Sequence, residues 1–391
     1  MSKPAAPAAH VRVAAFVGTR ADLAPLGPVL TALADCPNVE LTVLTGVAWT
    51  AGSLAEALPD RDGTWRIVAL AEPVAGPLDT AALVRNGSAL SAGAAGYFLD
   101  AHPDVLVVLG DRWELLHIVP QAVLVGVRVV HLHGGEVTEG ALDERVRHAV
   151  TKLADQHCVA STDAAARVRR LGEPAERVHV TGAPGLDRLT GLPRPTAEEL
   201  SAAVGREVAR PLALFTYHPP TAVEGAEVRA WAAGALRAAT ARCGTVVATH
   251  PGLDAGRDEV LAALVEASTD PRVVVVDTLG PAYPVVLAGS DVVVGNSSSG
   301  VIEAASVGIP VVDVGDRQRG RLRADNVVHA DEGEAAVGAA LDLALSPAHR
   351  ARSAAVVNPY GDGRAASRVV EVVRAAPSVA RTKSFVDAQE P

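Results

Sequence analysis

The chain has 391 residues, of which 49% are hydrophobic and 20% charged, and its 35 basic and 45 acidic side chains give a net charge of −10. This length predicts two domains rather than one enlarged core, and the apolar content excludes an intrinsically disordered chain. The acidic balance, without a long Lys/Arg tract, argues against nucleic acid or an anionic membrane surface as the main partner.

Signals for export, membrane insertion and metal binding are missing from the sequence. No run of 18 or more apolar residues occurs, and the first ten residues lack a hydrophobic signal core, so we expect a cytoplasmic protein without a membrane span. Cys36, Cys158 and Cys243 have neither metal-ligand spacing nor a disulfide pattern. No HxxxH or CxxC spacing occurs either, so we predict no bound metal.

Short β-branched runs alternate with Ala/Leu-rich segments through the first half of the chain. The predicted strands are 11–17, 40–45, 105–109, 128–132 and 157–160, and the predicted helices are 21–34, a segment ending near 125, and 146–155. Strands that are apolar throughout and are separated by helices indicate a parallel sheet covered on both faces.

A Pro/Gly-rich, charged stretch at 184–211 predicts a hinge, after which the same alternation resumes. The predicted strands there are 212–216, 245–249, 273–276, 291–295 and 311–314. We predict an α/β protein of two doubly wound domains, 1–185 and 186–375, that face each other across a cleft, with a frayed tail at 376–391. The sequence contains no GxGxxG or P-loop fingerprint, which disfavours a nicotinamide or P-loop enzyme.

Two polar runs follow predicted strands of the first domain, GDRWE at 110–114 and HLHGGEVTEGALDE at 131–144. Such runs meet at the carboxyl edge of a parallel sheet. Crowded carboxylates in a desolvated cleft separate one another's pKa values, which predicts one base and one acid at neutral pH. The alternative is a glycine-rich loop whose acids cap the next helix. The predicted catalytic residues are Asp111, His133, Glu136, Asp143 and Glu144.

The run GNSSSGVIE at 295–303 follows a predicted strand and opens a helix. Serine hydroxyls and unpaired N–H groups at a helix N-terminus can bind phosphate, and Glu303 is placed to accept hydrogen bonds from ribose hydroxyls. The alternative is a serine N-cap with a capping acid. The run GDRQRGR at 315–321 adds cations one strand later. The predicted binding residues in these runs are Ser297, Ser298, Ser299, Gly300, Glu303 and Arg317.

Four more polar residues stand at predicted strand ends: Arg20 and Arg112 in the first domain, and His218 and His250 in the second. A single arginine is often a solvated charge, and a single histidine is often a structural donor. The equivalent positions of the two histidines at strand ends favour a functional role for them, and the two arginines would supply further cations.

Taken together, these motifs resemble the hydrolysing UDP-N-acetylglucosamine 2-epimerases, in particular the sialic-acid-pathway branch that releases N-acetylmannosamine and UDP. The motifs are GTRAD at 18–22, GDRWE at 110–114, HGGEVTEGALDE at 133–144, RHAVTKLA at 147–154, TGAPGLD at 181–187, NSSSGVIEA at 296–304 and GDRQRGR at 315–321. The resemblance covers residues 11–375 and implies a GT-B fold, two Rossmann-like domains with the ligand between them, assembled as a homodimer or homotetramer.

The resemblance also implies residue roles and a reaction. The positions that hold UDP match Arg20, Arg112, His218, Ser297, Ser298, Glu303 and Arg317, and the acid/base region around the sugar matches Asp111, His133, Glu136, Asp143 and Glu144. In the implied reaction a base removes the proton on C2 and the nucleotide leaves C1, which gives a glycal. Water then adds to C1 while C2 is reprotonated on the opposite face. The resemblance implies no redox cofactor and no catalytic metal.

The sequence departs from the family pattern at four positions. Leu23 and Ala24 stand where the family has a tyrosine and a small polar residue, Ala48 replaces a histidine, and Gly252 replaces an asparagine. These departures leave two alternatives open. One is a repurposed relative that acts on a different phosphorylated sugar, with a nucleobase acceptor, in nucleoside or secondary metabolite biosynthesis. The other is a catalytically inactive nucleotide-sugar sensor.

Overall fold

The computed structural model describes residues 10–58, 65–74, 80–138, 142–220, 225–252 and 256–387. These residues form two compact units. The first unit is built from the described residues of Met1–Glu136, Leu142–Asp187 and Arg364–Pro391, and the second from those of Val137–Ala141 and Arg188–Gly363. No helix in these ranges is both long enough and apolar enough to span a membrane.

The first unit is a seven-stranded parallel sheet with helices packed on its faces. Its strands are β1 (Val11–Phe16), β2 (Val39–Thr45), β3 (Arg66–Ala69), β4 (Val105–Leu109), β5 (Arg128–Leu132), β6 (Gln156–Val159) and β7 (Val178–Val180). Its first six helices are α1 (Arg20–Ala34), α2 (Ala51–Ala57), α3 (Thr80–Ala101), α4 (Leu115–Val125), α5 (Leu142–Leu153) and α6 (Thr162–Arg170). The strand order is β3-β2-β1-β4-β5-β6-β7.

Successive residues of β1 point to opposite faces of the sheet, because side chains alternate along a strand. Val13 and Ala15 belong to the apolar cluster that contains residues of α1. Ala14 and Phe16 belong to the cluster on the other face, with residues of α3 and α4. This two-sided burial explains why the strand is apolar throughout.

The second unit repeats the architecture with six parallel strands in the order β10-β9-β8-β11-β12-β13. Its strands are β8 (Leu212–Thr216), β9 (Thr245–Thr249), β10 (Val273–Val276), β11 (Val292–Gly295), β12 (Val311–Val314) and β13 (Val327–Ala330). Its helices are α7 (Ala197–Val204), α8 (Gly225–Thr240), α9 (Arg257–Ala267), α10 (Tyr283–Gly289), α11 (Ser298–Ile302), α12 (Glu334–Ala344) and α13 (Pro347–Ala354). The predicted α/β class with two Rossmann-like parallel sheets is confirmed.

Three strands were not predicted, namely β3, β7 and β13. Each has three or four residues and lies at the edge of its sheet. Their burial is only partial, so they lack the continuous apolar run that marks a central strand.

The last helix, α14 (Ala365–Ala375), belongs to the first unit. The predicted division, which placed residues up to 375 in the second domain, differs from the structure at this point. Val369 and Val373 of α14 join the apolar cluster beneath α1. The Asp187 carboxylate accepts hydrogen bonds from the backbone N–H groups of Ala365 at 2.9 Å and Ala366 at 2.7 Å, and so fixes the start of the helix.

The segment after α14, which lies within the predicted tail at 376–391, makes hydrogen bonds to the first unit. Arg128 Nη2 donates to the carbonyl oxygen of Val379 at 2.5 Å, and Arg177 Nη2 donates to that of Thr382 at 2.8 Å. The backbone N–H of Val386 donates to the carbonyl oxygen of Gly172 at 3.0 Å. Residues 388–391 lie outside the described residues.

Glu173 joins this C-terminal segment to the sheet through three cationic or imidazole partners. Its carboxylate, 1% exposed, lies 2.6 Å from Lys152 Nζ, 3.0 Å from His157 Nε2 and 2.9 Å from Lys383 Nζ. Burial raises the pKa of Glu173, but the hydrogen bonds from His157, Lys152 and Lys383 outweigh it and lower the pKa to about 2. The folded protein therefore holds this carboxylate ionised far below its ordinary titration range.

We expect this group to make stability depend on pH. Its pKa is about 2 in the folded chain against an ordinary value of 4.5, so its stabilisation is complete above about pH 5 and is lost as the pH falls toward 2. The loss should be on the order of 3 kcal/mol. Urea unfolding of Glu173→Gln should give a lower free energy at pH 7 and a flatter acid dependence than the wild type. The control is Glu176→Gln, at an exposed acid nearby; the same acid dependence in all three proteins would contradict the assignment.

Candidate active site

The two polar runs of the first unit start side by side, since β4 and β5 are neighbours and Leu109 pairs with Leu132. His131 Nε2 donates to the carbonyl oxygen of Gly110 at 2.7 Å and so fastens one turn to the other. Burial lowers the pKa of His131 to about 3, which leaves the ring neutral at physiological pH. His131 is therefore a structural donor beneath the site.

Arg147 of α5 gathers three of the predicted catalytic residues around one guanidinium. Its side chain is 1% exposed, and its Nη1 donates to Glu144 Oε2 and to the carbonyl oxygen of Glu136, both at 2.6 Å. Nε donates to Asp111 Oδ2 at 3.1 Å, and Nη2 donates to the same oxygen. Burial would lower the pKa of Arg147, but Asp111, Glu136 and Glu144 together outweigh it and raise the pKa. The guanidinium thus orients the Asp111 carboxylate, from the turn after β4, and the Glu144 carboxylate, from its own helix α5.

Arg147 was not among the predicted site residues. The available signal was its position three residues after Glu144, because side chains spaced by three residues meet on one face of a helix. Its partnership with Asp111 joins residues 36 positions apart and could not be read from a local pattern.

His133 and Glu136 form a second group at this edge of the sheet. His133 Nδ1 lies 2.5 Å from Glu136 Oε1, and His133 Nε2 is buried without a hydrogen-bond partner among the described residues. The backbone of His133 has φ of +60°, a left-handed conformation that is uncommon outside glycine and is often found at functional sites. Residues 139–141 of the same motif lie outside the described residues.

Arg112 pairs with a buried acid in this structure. Its Nε donates to Glu114 Oε1 at 2.8 Å, and the Glu114 side chain is 0% exposed. Burial would lower the pKa of Arg112, but Glu114, Asp22 and Asp143 outweigh it and raise the pKa. Arg112 was predicted to hold the nucleotide. In this structure its positive charge is paired with acids of its own unit.

The first turn of α1 is built on the same acid cluster. Asp22 Oδ2 accepts from the backbone N–H groups of Gly18 at 2.9 Å and Thr19 at 2.7 Å. Burial raises the pKa of Asp22 to about 6, with Arg112 opposing and Glu114 adding to the shift. A side-chain carbon at Gly18 would lie 2.4 Å from Glu114 Oε1, so a larger residue there would displace the Glu114 carboxylate. Arg20 is the first residue of α1 and is exposed at this edge.

In the second unit, the serine run follows β11, next to β8 at the centre of the sheet. Gly295 ends the strand with φ of +134°, and a side-chain carbon there would lie 2.0 Å from the carbonyl oxygen of Thr216. Ser297 is the N-cap of α11: its Oγ accepts from the backbone N–H of Ser299 at 3.4 Å and lies 2.9 Å from Ser299 Oγ. The serine N-cap of the alternative is therefore present, but the first turn of α11 carries no capping acid.

Asn296 connects the loops that carry His218, the serines and Arg317. Its Oδ1 accepts from the backbone N–H of His218 at 2.6 Å, and its Nδ2 donates to the His218 carbonyl oxygen at 2.8 Å. The carbonyl oxygen of Asn296 accepts from Gln318 Nε2 at 2.8 Å and Arg317 Nη1 at 3.2 Å. Asn296 and Gln318 were not predicted as site residues, since their roles depend on loops that meet only in the folded sheet.

His218 is a neutral ring with a defined tautomer. Its Nδ1 accepts from the backbone N–H of Gly252 at 3.2 Å, which places the ring hydrogen on Nε2. Burial, with the positive charge of Arg317, lowers the pKa of His218 to about 3. His250 lies at the end of β9, and its Nδ1 is 3.0 Å from Asp277 Oδ1. His218 can thus donate one hydrogen bond without carrying a charge.

Glu303 directly follows α11, and Tyr283 Oη donates to its Oε2 at 2.7 Å. Burial raises the pKa of both side chains. Every site residue predicted from the sequence is described, and each unit gathers its own set. The acid residues with Arg20 and Arg112 lie in the first unit, and the histidines 218 and 250, the serines, Gly300, Glu303 and Arg317 lie in the second. No group of three or more His, Cys, Asp or Glu side chains in the described ranges is arranged to hold a metal ion.

Comparison with known proteins identifies the family. Residues 80–374 match the sequence profile of the family described as UDP-N-acetylglucosamine 2-epimerase. The chain is 33% identical over 370 residues to the UDP-N,N'-diacetylbacillosamine 2-epimerase (hydrolyzing) of Legionella pneumophila, covering 92% of this chain and 94% of that one. It is 28% identical over 323 residues to the UDP-N-acetylglucosamine 2-epimerase of Neisseria meningitidis serogroup B, covering 82% and 84%.

A solved structure supports the fold assignment. The crystal structure of UDP-GlcNAc 2-epimerase from Neisseria meningitidis bound to UDP-GlcNAc matches with a TM-score of 0.76 at 18% identity, covering 93% of this chain and 99% of that one. The fold is therefore GT-B-like, as the resemblance implied. The chain belongs to the UDP-N-acetylglucosamine 2-epimerase family and is an enzyme of that family, with hydrolysing members among its relatives.

Proposed function

We propose that the protein is a hydrolysing 2-epimerase of a UDP-linked 2-acetamido sugar, with UDP-N-acetylglucosamine as the first substrate to test and N-acetylmannosamine and UDP as products. The observation that carries this proposal is the Arg147-centred group of carboxylates, on a chain of this family whose second unit carries serines, Arg317 and a neutral His218. The hydrolysing relatives act, by their names, on nucleotide-linked amino sugars.

The second unit supplies the leaving-group interactions in this proposal. Serine hydroxyls and loop N–H groups with the Arg317 guanidinium would stabilise the diphosphate as it takes up the electrons of the C1–O bond. His218 Nε2–H would add a neutral donor whose strength is constant across the physiological pH range, because its pKa is about 3.

The first unit supplies the proton transfers. We assign the base to the Asp111 carboxylate, which Arg147 orients, and the acid to the Glu136–His133 pair, whose atoms lie 2.5 Å apart. The base removes the C2 proton, UDP leaves with the electron pair of the C1–O bond, and a C1=C2 glycal forms. Water then adds its hydroxyl to C1, and a proton returns to C2 on the opposite face.

Purified protein should release UDP and N-acetylmannosamine from UDP-N-acetylglucosamine. Anion-exchange chromatography measures the UDP, and NMR identifies the sugar. In deuterated water the product should carry deuterium at C2, since the proton added there comes from solvent. UDP-N,N'-diacetylbacillosamine serves as the parallel substrate, chosen because the Legionella pneumophila relative is named for it. Bound UDP without turnover of either sugar would contradict the proposal.

Binding variants test the role of the second unit. We expect Arg317→Ala and Glu303→Gln each to weaken UDP binding by about tenfold or more. Each variant removes a charged side-chain group that forms a hydrogen bond to UDP in this proposal. The control is Arg319→Ala, a largely exposed arginine of the same loop that lies 3.8 Å from Asp316. Titration calorimetry should show unchanged affinity for the control, and equal losses in all three variants would refute the specific role of Arg317.

A second candidate function is a repurposed member that transfers a different phosphorylated sugar to a nucleobase. Two of the four departures touch predicted ligand-binding loops: the Ala48 N–H donates to Gly18 O at 3.1 Å, and the Gly252 N–H donates to His218. Leu23 instead packs against the apolar cluster beneath α1. Mass spectrometry of reactions containing UDP-sugars and a panel of nucleobases should detect an N-glycoside if this candidate is correct.

A further inference from the structure

Three arginines of the second unit converge on one buried carboxylate, that of Asp291, which is 5% exposed. Its Oδ1 lies 3.1 Å from both Arg194 Nη2 and Arg350 Nη2. Its Oδ2 lies 2.9 Å from Arg210 Nη1 and accepts from the backbone N–H of Leu212 at 2.8 Å. Each carboxylate oxygen accepts about two hydrogen bonds, so these four bonds satisfy the acid completely.

The cluster lies at the amino edge of the second sheet. Asp291 directly precedes β11, and its backbone N–H donates to the carbonyl oxygen of Leu212, the first residue of β8, at 2.8 Å. The loops that carry His218 and Ser297 follow the opposite ends of these two strands. Strands of this length separate the two edges by on the order of 15 Å. A small ligand at the arginines would therefore not touch the proposed nucleotide-binding loops.

The arginines carry more positive charge than the acid needs. One guanidinium neutralises one carboxylate, so three of them leave an excess of two positive charges at this point. In the parts of the chain that the structure describes, no second acid forms an ion pair with Arg194, Arg210 or Arg350. The Nη2 atoms of Arg194 and Arg350 share one acceptor oxygen, so the two cations lie close together and repel each other. An anion bound among them would offset this repulsion.

The three guanidinium groups keep hydrogen-bond donors for such an anion. A guanidinium has five N–H donors, and each of the three contributes one nitrogen to Asp291. The side chains of Arg194, Arg210 and Arg350 are 54%, 41% and 43% exposed, so a ligand can reach them from solvent. The bonds to Asp291 also hold the groups in place before a ligand arrives, which lowers the entropic cost of binding.

We propose that Arg194, Arg210 and Arg350 form a phosphate-binding site that is separate from the proposed nucleotide site. The ligand is inorganic phosphate or a phosphate monoester, because the planar guanidinium fork matches phosphate oxygens. The charge of a phosphate monoester near neutral pH, about −1.5 to −2, also matches the local excess of two positive charges. The inference goes beyond the proposed function and does not depend on which sugar the enzyme uses.

The test is titration calorimetry of the full chain with inorganic phosphate and, separately, with glycerol 3-phosphate. Ionic strength is held constant, and saturating UDP is present so that the proposed nucleotide site is occupied. The wild type should bind one equivalent of at least one probe. The double variant Arg194→Gln/Arg350→Gln should bind that probe about a hundredfold more weakly, since each lost charge-assisted contact costs about tenfold in affinity. Its affinity for UDP should stay within about twofold of the wild type.

The matched control is the double variant Arg229→Gln/Arg237→Gln in α8. Arg229 lies 3.3 Å from Glu266 and Arg237 lies 2.7 Å from Glu334, so each of these arginines has an acid of its own. Their side chains are about as exposed as those of the cluster. The control removes the same charge from the same unit, and it should keep the wild-type affinity for phosphate.

The single variants Arg194→Gln and Arg350→Gln each leave Asp291 with two cations and should weaken binding of the probe by about tenfold. They carry the test if circular dichroism shows that the double variant does not fold. Wild-type affinity in both single variants would overturn the inference, and so would an equal loss in the α8 control. A wild type that binds neither probe while UDP is bound would overturn it as well.

The two probes identify the source of the phosphate group. Tighter binding of inorganic phosphate, lost in the arginine variants, supports the inference and indicates free phosphate as the ligand. Tighter binding of glycerol 3-phosphate, lost in the same variants, supports it and indicates a phosphorylated metabolite. A wild type that does not bind UDP would overturn the proposed nucleotide role alone, because the arginine variants still report on phosphate binding in titrations without UDP.

Discussion

Asp111→Asn is expected to lower kcat by about 10²- to 10⁴-fold, the contribution typical of a general acid or base. Asparagine keeps the shape of the side chain but cannot take a proton from C2. Its affinity for UDP should stay within about twofold of the wild type, because the proposed leaving-group contacts lie on other residues. Steady-state kinetics with UDP-N-acetylglucosamine and calorimetry with UDP measure the two quantities separately.

The control for this experiment is Asp100→Asn, at an exposed aspartate near the end of α3. It removes one negative charge from the same unit without touching Arg147. A loss of UDP binding in Asp111→Asn as large as its loss of turnover would overturn the division of roles between the two units.

We expect Arg147→Met to lower the free energy of unfolding by about 3–5 kcal/mol, the usual cost of breaking a buried ion pair on one side. The side chain is 1% exposed and donates to Asp111, Glu144 and the Glu136 carbonyl oxygen, so its removal leaves two carboxylates without their cation. Turnover should fall along with stability, since the Asp111 carboxylate loses its orientation. Urea unfolding and kinetics on the same preparation check both effects.

Two further variants serve as a control for the loss of an arginine and as a test of charge alone. Arg145→Met removes an exposed arginine of the same helix and should change the free energy of unfolding by no more than about 0.5 kcal/mol. Arg147→Lys keeps the charge but lacks the planar fork whose separate nitrogens reach Asp111, Glu144 and the Glu136 carbonyl oxygen, so it should lose activity despite its charge. Wild-type stability in Arg147→Met would mean that the buried guanidinium contributes no net stability.

The kinetic and binding variants together distinguish the candidate functions. A hydrolysing 2-epimerase loses turnover in Asp111→Asn and loses affinity in Arg317→Ala. A nucleotide-sugar sensor binds UDP and responds to Arg317→Ala, but it has no turnover for Asp111→Asn to reduce. A repurposed transferase shows turnover only when the correct sugar and acceptor are both supplied.

The sequence by itself determined the fold class, the central strands and the positions of the polar loops. The strands at 105–109, 128–132, 212–216 and 245–249 were predicted with the bounds that the structure shows. Central parallel strands are buried on both faces, so each must be a short, continuous apolar run that ends where a polar turn begins. For the same reason the candidate ligand loops could be located without any knowledge of their contacts.

Only the tertiary structure decided which side chains act on one another. The Arg147–Asp111 pair, the Asn296 connections, the return of α14 to the first unit and the anchored C-terminal segment all join residues far apart in the chain. A local pattern records the burial and turn preferences of its own residues. It does not record which distant carbonyl or carboxylate a buried guanidinium or amide meets, because that depends on the packing of the complete sheet.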